Sequence, residues 1–212
     1  MPLGLLSDQP IIFVVWVLAI IVALSVHEFS HALVGNLLGD STARNQGRLT
    51  LNPLAHIDPI GFFMLLLVGF GWGKPVPFNP YNLKYPKWGP AIVGLAGPVA
   101  NLVGLLVSGV LLKALLFFGN IPFENLLVQF LLLLVVVNLV LLLFNLLPIP
   151  PLDGSKLFLS IFSAPHHARL RFLLETRGPL LLLGLIILDR LFGFNIFGRL
   201  FGGIIKFVFG LF

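Results

Sequence analysis

The chain contains no cysteine. That excludes disulfides and thiolate ligands, so any metal site must be built from imidazole and carboxylate, and the redox compartment cannot be read. Charge is nearly as scarce: Lys, Arg, Asp and Glu make up 10% of the 212 residues, against 58% hydrophobic residues. A mean hydropathy of +1.05 excludes an ordinary water-soluble domain of this size. The net charge of +5 is a small excess of base. In so apolar a chain it reflects basic cytoplasmic loops, not nucleic-acid binding, and no nucleic-acid partner is expected. The first apolar run has no basic leader before it and no small-residue cleavage site after it, so it reads as a retained helix and not as a signal peptide.

What the chain does have is long apolar text. A first run covers Ile11–Leu38, a second Trp88–Gly119 and a third Asn125–Leu147, each near or beyond the roughly 20 residues that cross a bilayer. The second is studded with Gly94, Gly97, Ala100, Gly104 and Gly109, small residues that let helices approach closely in lipid. Residues 60–72 are apolar but short and glycine-rich, which suits a re-entrant segment. Two further apolar stretches, split at Asp189-Arg190, occupy the tail from Pro179, where Arg199 and Lys206 suggest an interfacial helix as an alternative to a span. Gly47–Asn52 alternates enough to predict a short strand. The expected fold is an all-α polytopic membrane protein with about four to six membrane segments and a small membrane-associated β element. No internal repeat is present.

Lysine and arginine set the expected orientation. Met1–Pro10 and Asn120–Glu124 carry none, whereas Arg44, Arg48, Lys74, Lys84 and Lys87 cluster between the first and second long runs. Lys156, Arg169, Arg171 and Arg177 follow the third. An outside N-terminus fits, provided residues 60–72 dip in and return.

Chemistry concentrates in His27-Glu28-Phe29-Ser30-His31, inside the first run. Histidines four apart share a helix face and can ligate one metal, and the adjacent glutamate suits the role of general base. Such a pattern alone often arises by chance on solvated helices. Inside hydrocarbon an ionisable cluster costs about 2.5–3.5 kcal/mol per charge, so it demands partners or a function. A catalytic zinc wants a third ligand and an open position. Asp153 is the best candidate: it follows Asn145-Leu-Leu-Pro148-Ile-Pro150-Pro151-Leu152, where prolines interrupt helix, and precedes Gly154, which lets the backbone turn. The competing reading is a helix-stop aspartate. Asn101 and Asn138 read as helix-to-helix glue. His56 reads as a loop residue, with a role near the metal left open, and His166-His167 as solvated linker.

Five motifs in order, His27–His31, Leu51-Asn-Pro-x-x-His56-Ile-Asp-Pro, Gly73-Lys-Pro-Val-Pro, Gly97-Pro98-x-x-Asn101 and Asn145-x-x-Pro-x-Pro-Pro-Leu-Asp153-Gly, resemble the site-2 protease family over roughly residues 20–160. The resemblance implies an intramembrane zinc metalloprotease in a minimal form. By it, His27, His31 and Asp153 hold one Zn2+ per chain, Glu28 activates water, and Asn145 contacts substrate near the scissile bond. Together with the run of charge and hydropathy, this predicts a metalloprotease core over residues 1–160, a basic cytoplasmic linker over 161–177 and membrane or interfacial helices over 178–212. The expected partners are a single-span membrane-protein substrate and the lipid bilayer of a prokaryotic cell membrane, with the active site toward the cytoplasm. A catalytically inactive membrane scaffold and a metal transporter are the alternatives. An intact Glu28 speaks against the first, and polar residues converging on one point, not lining a path, against the second.

Overall fold

With no water in hydrocarbon to satisfy backbone N–H and C=O groups, the apolar runs have to be helical. The computed structural model describes residues 2–162 and 167–210; residues 163–166, with His166 of the expected linker, and the extreme ends lie outside the described residues. The helices are α1 (Pro2–Asp8), α2 (Pro10–Leu37), α3 (Thr42–Asn45), α4 (Pro59–Val68), α5 (Gly89–Phe117), α6 (Leu126–Asn145), α7 (Asp153–Ile161), α8 (Ala168–Phe192) and α9 (Ile196–Phe209). Local chemistry sets their starts. Proline lies in the first turn of α2, α4 and α5, where its missing N–H costs nothing. Asp58 caps α4 by accepting from Gly61 N at 2.8 Å, and Asn125 caps α6 by accepting from Leu127 N at 2.9 Å. α4 ends at Gly69, whose φ of +79° suits glycine.

Among the described residues, α2, α5 and α6 are long and apolar enough to cross a membrane. α5 is the central element and packs against α2, α6 and α7. Its buried positions include Ala91, Gly94, Gly97, Asn101, Ser108 and Gly109, small residues that let neighbouring backbones approach, beside the larger Val93 and Leu112. Leu112, Val128, Leu131 and Val135 form an apolar cluster between α5 and α6, and Ala19, Ala23 and Val137 form another between α2 and α6.

Several expectations are corrected. Among the described residues three helices have the length and apolarity to span, so the four to six membrane segments expected stand only as far as those three. α4 has 10 residues, a rise of about 15 Å, half a hydrocarbon core. α9, at 14 residues, also falls short, and α8 carries Arg169, Arg171, Glu175, Arg177 and Asp189. The expected strand over Gly47–Asn52 is irregular, because no neighbouring chain pairs with it. Arg48 N instead donates to Ala43 O at 2.8 Å, and its guanidinium donates to Lys74 O. Among the described residues the β pairing is one isolated antiparallel bridge, Ile57 with Gly73. The break in the tail falls at Gly193–Asn195 and not at Asp189-Arg190, since Asp189 stays helical and its Oδ1 accepts from Ile196 N at 2.7 Å. The stretch from Ala168 to Arg177, expected as linker, opens α8.

One polar knot fixes the end of α2 against the approach to α5. Asp40, 1% exposed, accepts from Thr42 Oγ1 at 2.5 Å, Asn79 N at 2.6 Å and Asn82 Nδ2 at 3.1 Å, while Lys84 N donates to Leu38 O at 2.8 Å. Burial alone would raise the Asp40 carboxyl, but these donors outweigh it and hold it below the usual carboxylate range. A lowered folded-state pKa means the stabilisation is complete above about pH 4, the unfolded value, and fades as pH falls through the folded one. Asp40→Ala should cost about 2–3 kcal/mol at neutral pH. Thermal unfolding in detergent across pH should show the gap between wild type and variant closing only below about pH 4.

Candidate metal centre

The helical period brings His27 and His31 to one face of α2, turned toward α5. Both are buried, at 3% and 5% exposure, as are Glu28 at 8% and Asp153 at 6%. Asp153 is the first residue of α7, where the helix N-terminus favours a carboxylate. Gly154 has a different use from the one expected. It is helical, and a Cβ there would overlap the Leu146 carbonyl, so it allows close packing of α7 on the end of α6.

Three donor atoms converge. His27 Nε2 and His31 Nε2 lie 3.0 Å apart, and Asp153 Oδ2 lies 3.1 Å from each. Ligands about 2.0–2.1 Å from a tetrahedral zinc stand about 3.3 Å from one another, so the triangle is close to the size the ion requires.

Hydrogen bonding on the far side of each ring decides what the donors present. His31 Nδ1 donates to Val93 O at 2.7 Å. His27 Nδ1 meets Asn101 Oδ1 at 2.6 Å, Asn101 Nδ2 donates to Asn138 Oδ1 at 2.9 Å, and Asn138 Nδ2 donates to Leu134 O at 2.8 Å. A backbone carbonyl only accepts, so the direction of the relay is fixed and His27 must carry its proton on Nδ1. In the neutral imidazoles the Nε2 lone pairs then face the Asp153 carboxylate, the form in which all three atoms can ligate a metal. Three electron-rich atoms at this spacing repel unless a cation sits among them. The residues present fit a zinc ion: the donor set is hard to borderline, each imidazole is oriented by an outer partner, and a Cβ at Gly97 would overlap His31 Nε2 and the His27 ring.

The remaining expected residues are placed as follows. Glu28 lines the same cavity as His27, His31 and Asp153, a space of about 720 Å³ walled by Ile20, Leu24, Phe62, Phe70, Val140 and Phe144 among others. Asn145 also lines it, and its Nδ2 donates to Leu141 O at 3.1 Å in its own helix. His56 does not reach the cavity; it is fully buried with its Nε2 2.7 Å from Thr50 O, a loop residue. Asn101 does more than join helices, for it orients His27. Its signal was the spacing Gly94, Gly97, Asn101, Gly104, which is one face of α5. Lys156 and the Val93 carbonyl escaped sequence reasoning altogether. Asn101→Ala should weaken zinc affinity about 10–100-fold with the helices still folded, measured by competition against a chelator.

A protein of Bacillus subtilis named "Putative zinc metalloprotease YwhC" is 44% identical over 144 residues, covering 66% of this chain and 66% of that protein. Proteins named "Putative zinc metalloprotease Rip2" from Mycolicibacterium smegmatis and Mycobacterium tuberculosis are 33% identical over 156 and 149 residues. Those matches cover 68% of this chain and 55% of each relative, so the chain spans about half to two thirds of the curated relatives it matches. No family model matches the chain, and no solved structure does. With 44% identity to one of these proteins, and three donor atoms converging as a zinc site requires, the chain belongs to the site-2 protease family.

Proposed function

We propose that the protein is an intramembrane zinc endopeptidase that hydrolyses peptide bonds within or near the transmembrane segments of single-span membrane proteins. The observation that carries this reading is the buried triangle of His27, His31 and Asp153 beside Glu28, opening on an apolar cavity in a helical membrane protein. The names of the relatives support zinc, one ion per chain, as the metal. Bound by His27, His31 and Asp153, it would supply Lewis acidity to polarise a peptide carbonyl and to make water nucleophilic near neutral pH.

The protein's own groups account for the rest. Glu28, one residue from His27, takes a proton from the attacking water on its carboxylate and returns it to the leaving amine. Low-dielectric walls strengthen every electrostatic contact within the cavity and limit side reactions with bulk water. A helical substrate hides its carbonyls in i→i−4 bonds, so it must unwind locally before cleavage. The chain around Gly71–Phe78 lines the cavity, which supports it as an edge for the unwound segment to join as a strand. Asn145 lines the cavity, which supports the role of holding substrate backbone through its amide oxygen. The distribution of lysine and arginine supports an outside N-terminus and an active site toward the cytoplasm of a prokaryotic membrane. α4 would then enter the bilayer without crossing it.

Glu28→Gln separates this reading from a scaffold or a transporter. The expected result is full zinc retention with cleavage of tagged transmembrane peptides reduced at least about 100-fold. Wild-type cleavage rates in that variant would overturn the proposal.

A further inference from the structure

The two oxygens of Asp153 face different partners. Oδ2 joins the imidazole nitrogens, while Oδ1 lies 2.9 Å from the ammonium of Lys156, one helical turn further along α7. Three features set that ammonium in place. The i,i+3 spacing puts it over Asp153. Its stem runs across Gly94, where a Cβ would come within 2.8 Å of Lys156 Cδ and 3.0 Å of its Cβ. The Phe78 ring lies beneath the charge, 5.5 Å from Nζ to centroid, in cation–π range. Both Phe78 and Lys156 line the cavity that holds Glu28. The ammonium is only partly exposed, at 27% of its side chain, and three separate supports hold it against one carboxylate oxygen.

A catalytic zinc needs three protein ligands and one open position, and a carboxylate is able to bind a metal through one oxygen or both. If Asp153 bound through both, it would crowd the position that water and the scissile carbonyl must share. We propose that Lys156 is a positioning residue that occupies Oδ1 and so keeps Asp153 a one-oxygen ligand. The inference rests on the metalloprotease reading of this site and adds to it the group that keeps the fourth position open.

Cobalt(II) substituted for zinc in the full-length protein tests this, because its visible absorption is intense in four-coordinate sites and weak in five- or six-coordinate ones. Wild type should show the intense spectrum. Lys156→Gln should keep the metal but lose several-fold in absorption, and its kcat should fall about 10–100-fold with KM little changed. Lys156→Arg should restore both. Lys156→Met keeps the stem on Gly94 without the charge and should match Lys156→Gln, which separates loss of charge from loss of packing. A wild-type cobalt spectrum in a folded, metal-loaded Lys156→Gln or Lys156→Met would overturn the inference and leave the protease reading intact. Failure of the wild type to bind cobalt at all would overturn both.

Discussion

Two carbonyl oxygens that can only accept, those of Val93 and Leu134, decide which nitrogen of each imidazole faces the centre of this protein. Val93 O accepts a hydrogen bond from His31 Nδ1 directly. Leu134 O acts at a distance, through Asn138 and Asn101, and its polarity reaches His27 without ambiguity because each amide has one end already committed. Bare Nε2 lone pairs then meet the Asp153 carboxylate at close to 3 Å. Without a cation that arrangement is repulsive, and with one it is a chelate. The relay also links α2, α5 and α6, so the same bonds that orient the ligand tie the three long apolar helices together.

The rest of the architecture makes room for that site. Glycines on one face of α5 remove volume where it is needed. Gly97 leaves space for the imidazoles, Gly94 seats the stem of Lys156, and Gly104 lies against the Asn138 amide. The short α7 delivers a carboxylate from beyond the end of α6, and its N-terminus favours the charge. At the other end of the loop system, Asp40 draws together the exit of α2 and the entry of α5, fixing the register in which His31 finds Val93 O.

Much of the site could be read from residues alone, and the reasons for the gaps are physical. His27 and His31 were legible because helical periodicity fixes their common face, and Asp153 because carboxylates are so few and this one follows a proline-rich break. Lys156 was not, since a lysine at the head of a basic stretch looks like linker until the chain folds it back over Asp153. A backbone acceptor such as Val93 O has no sequence signature at all. Asn101 stood between the two, correct as a helix joiner and incomplete as an account of what it joins. The strand over Gly47–Asn52 failed because alternation gives a face but no partner. In the tail, Asp189 looked like a break, yet it holds its place in α8 and caps the start of α9.

The chemistry of this site depends on where one metal ion binds. Zinc anomalous diffraction together with X-ray absorption on the full-length protein measures this directly. It should give one ion per chain, about 2.0–2.1 Å from His27 Nε2, His31 Nε2 and a single oxygen of Asp153, with one further light-atom ligand. An ion ligated elsewhere, or a centre from which Asp153 is missing, would contradict it.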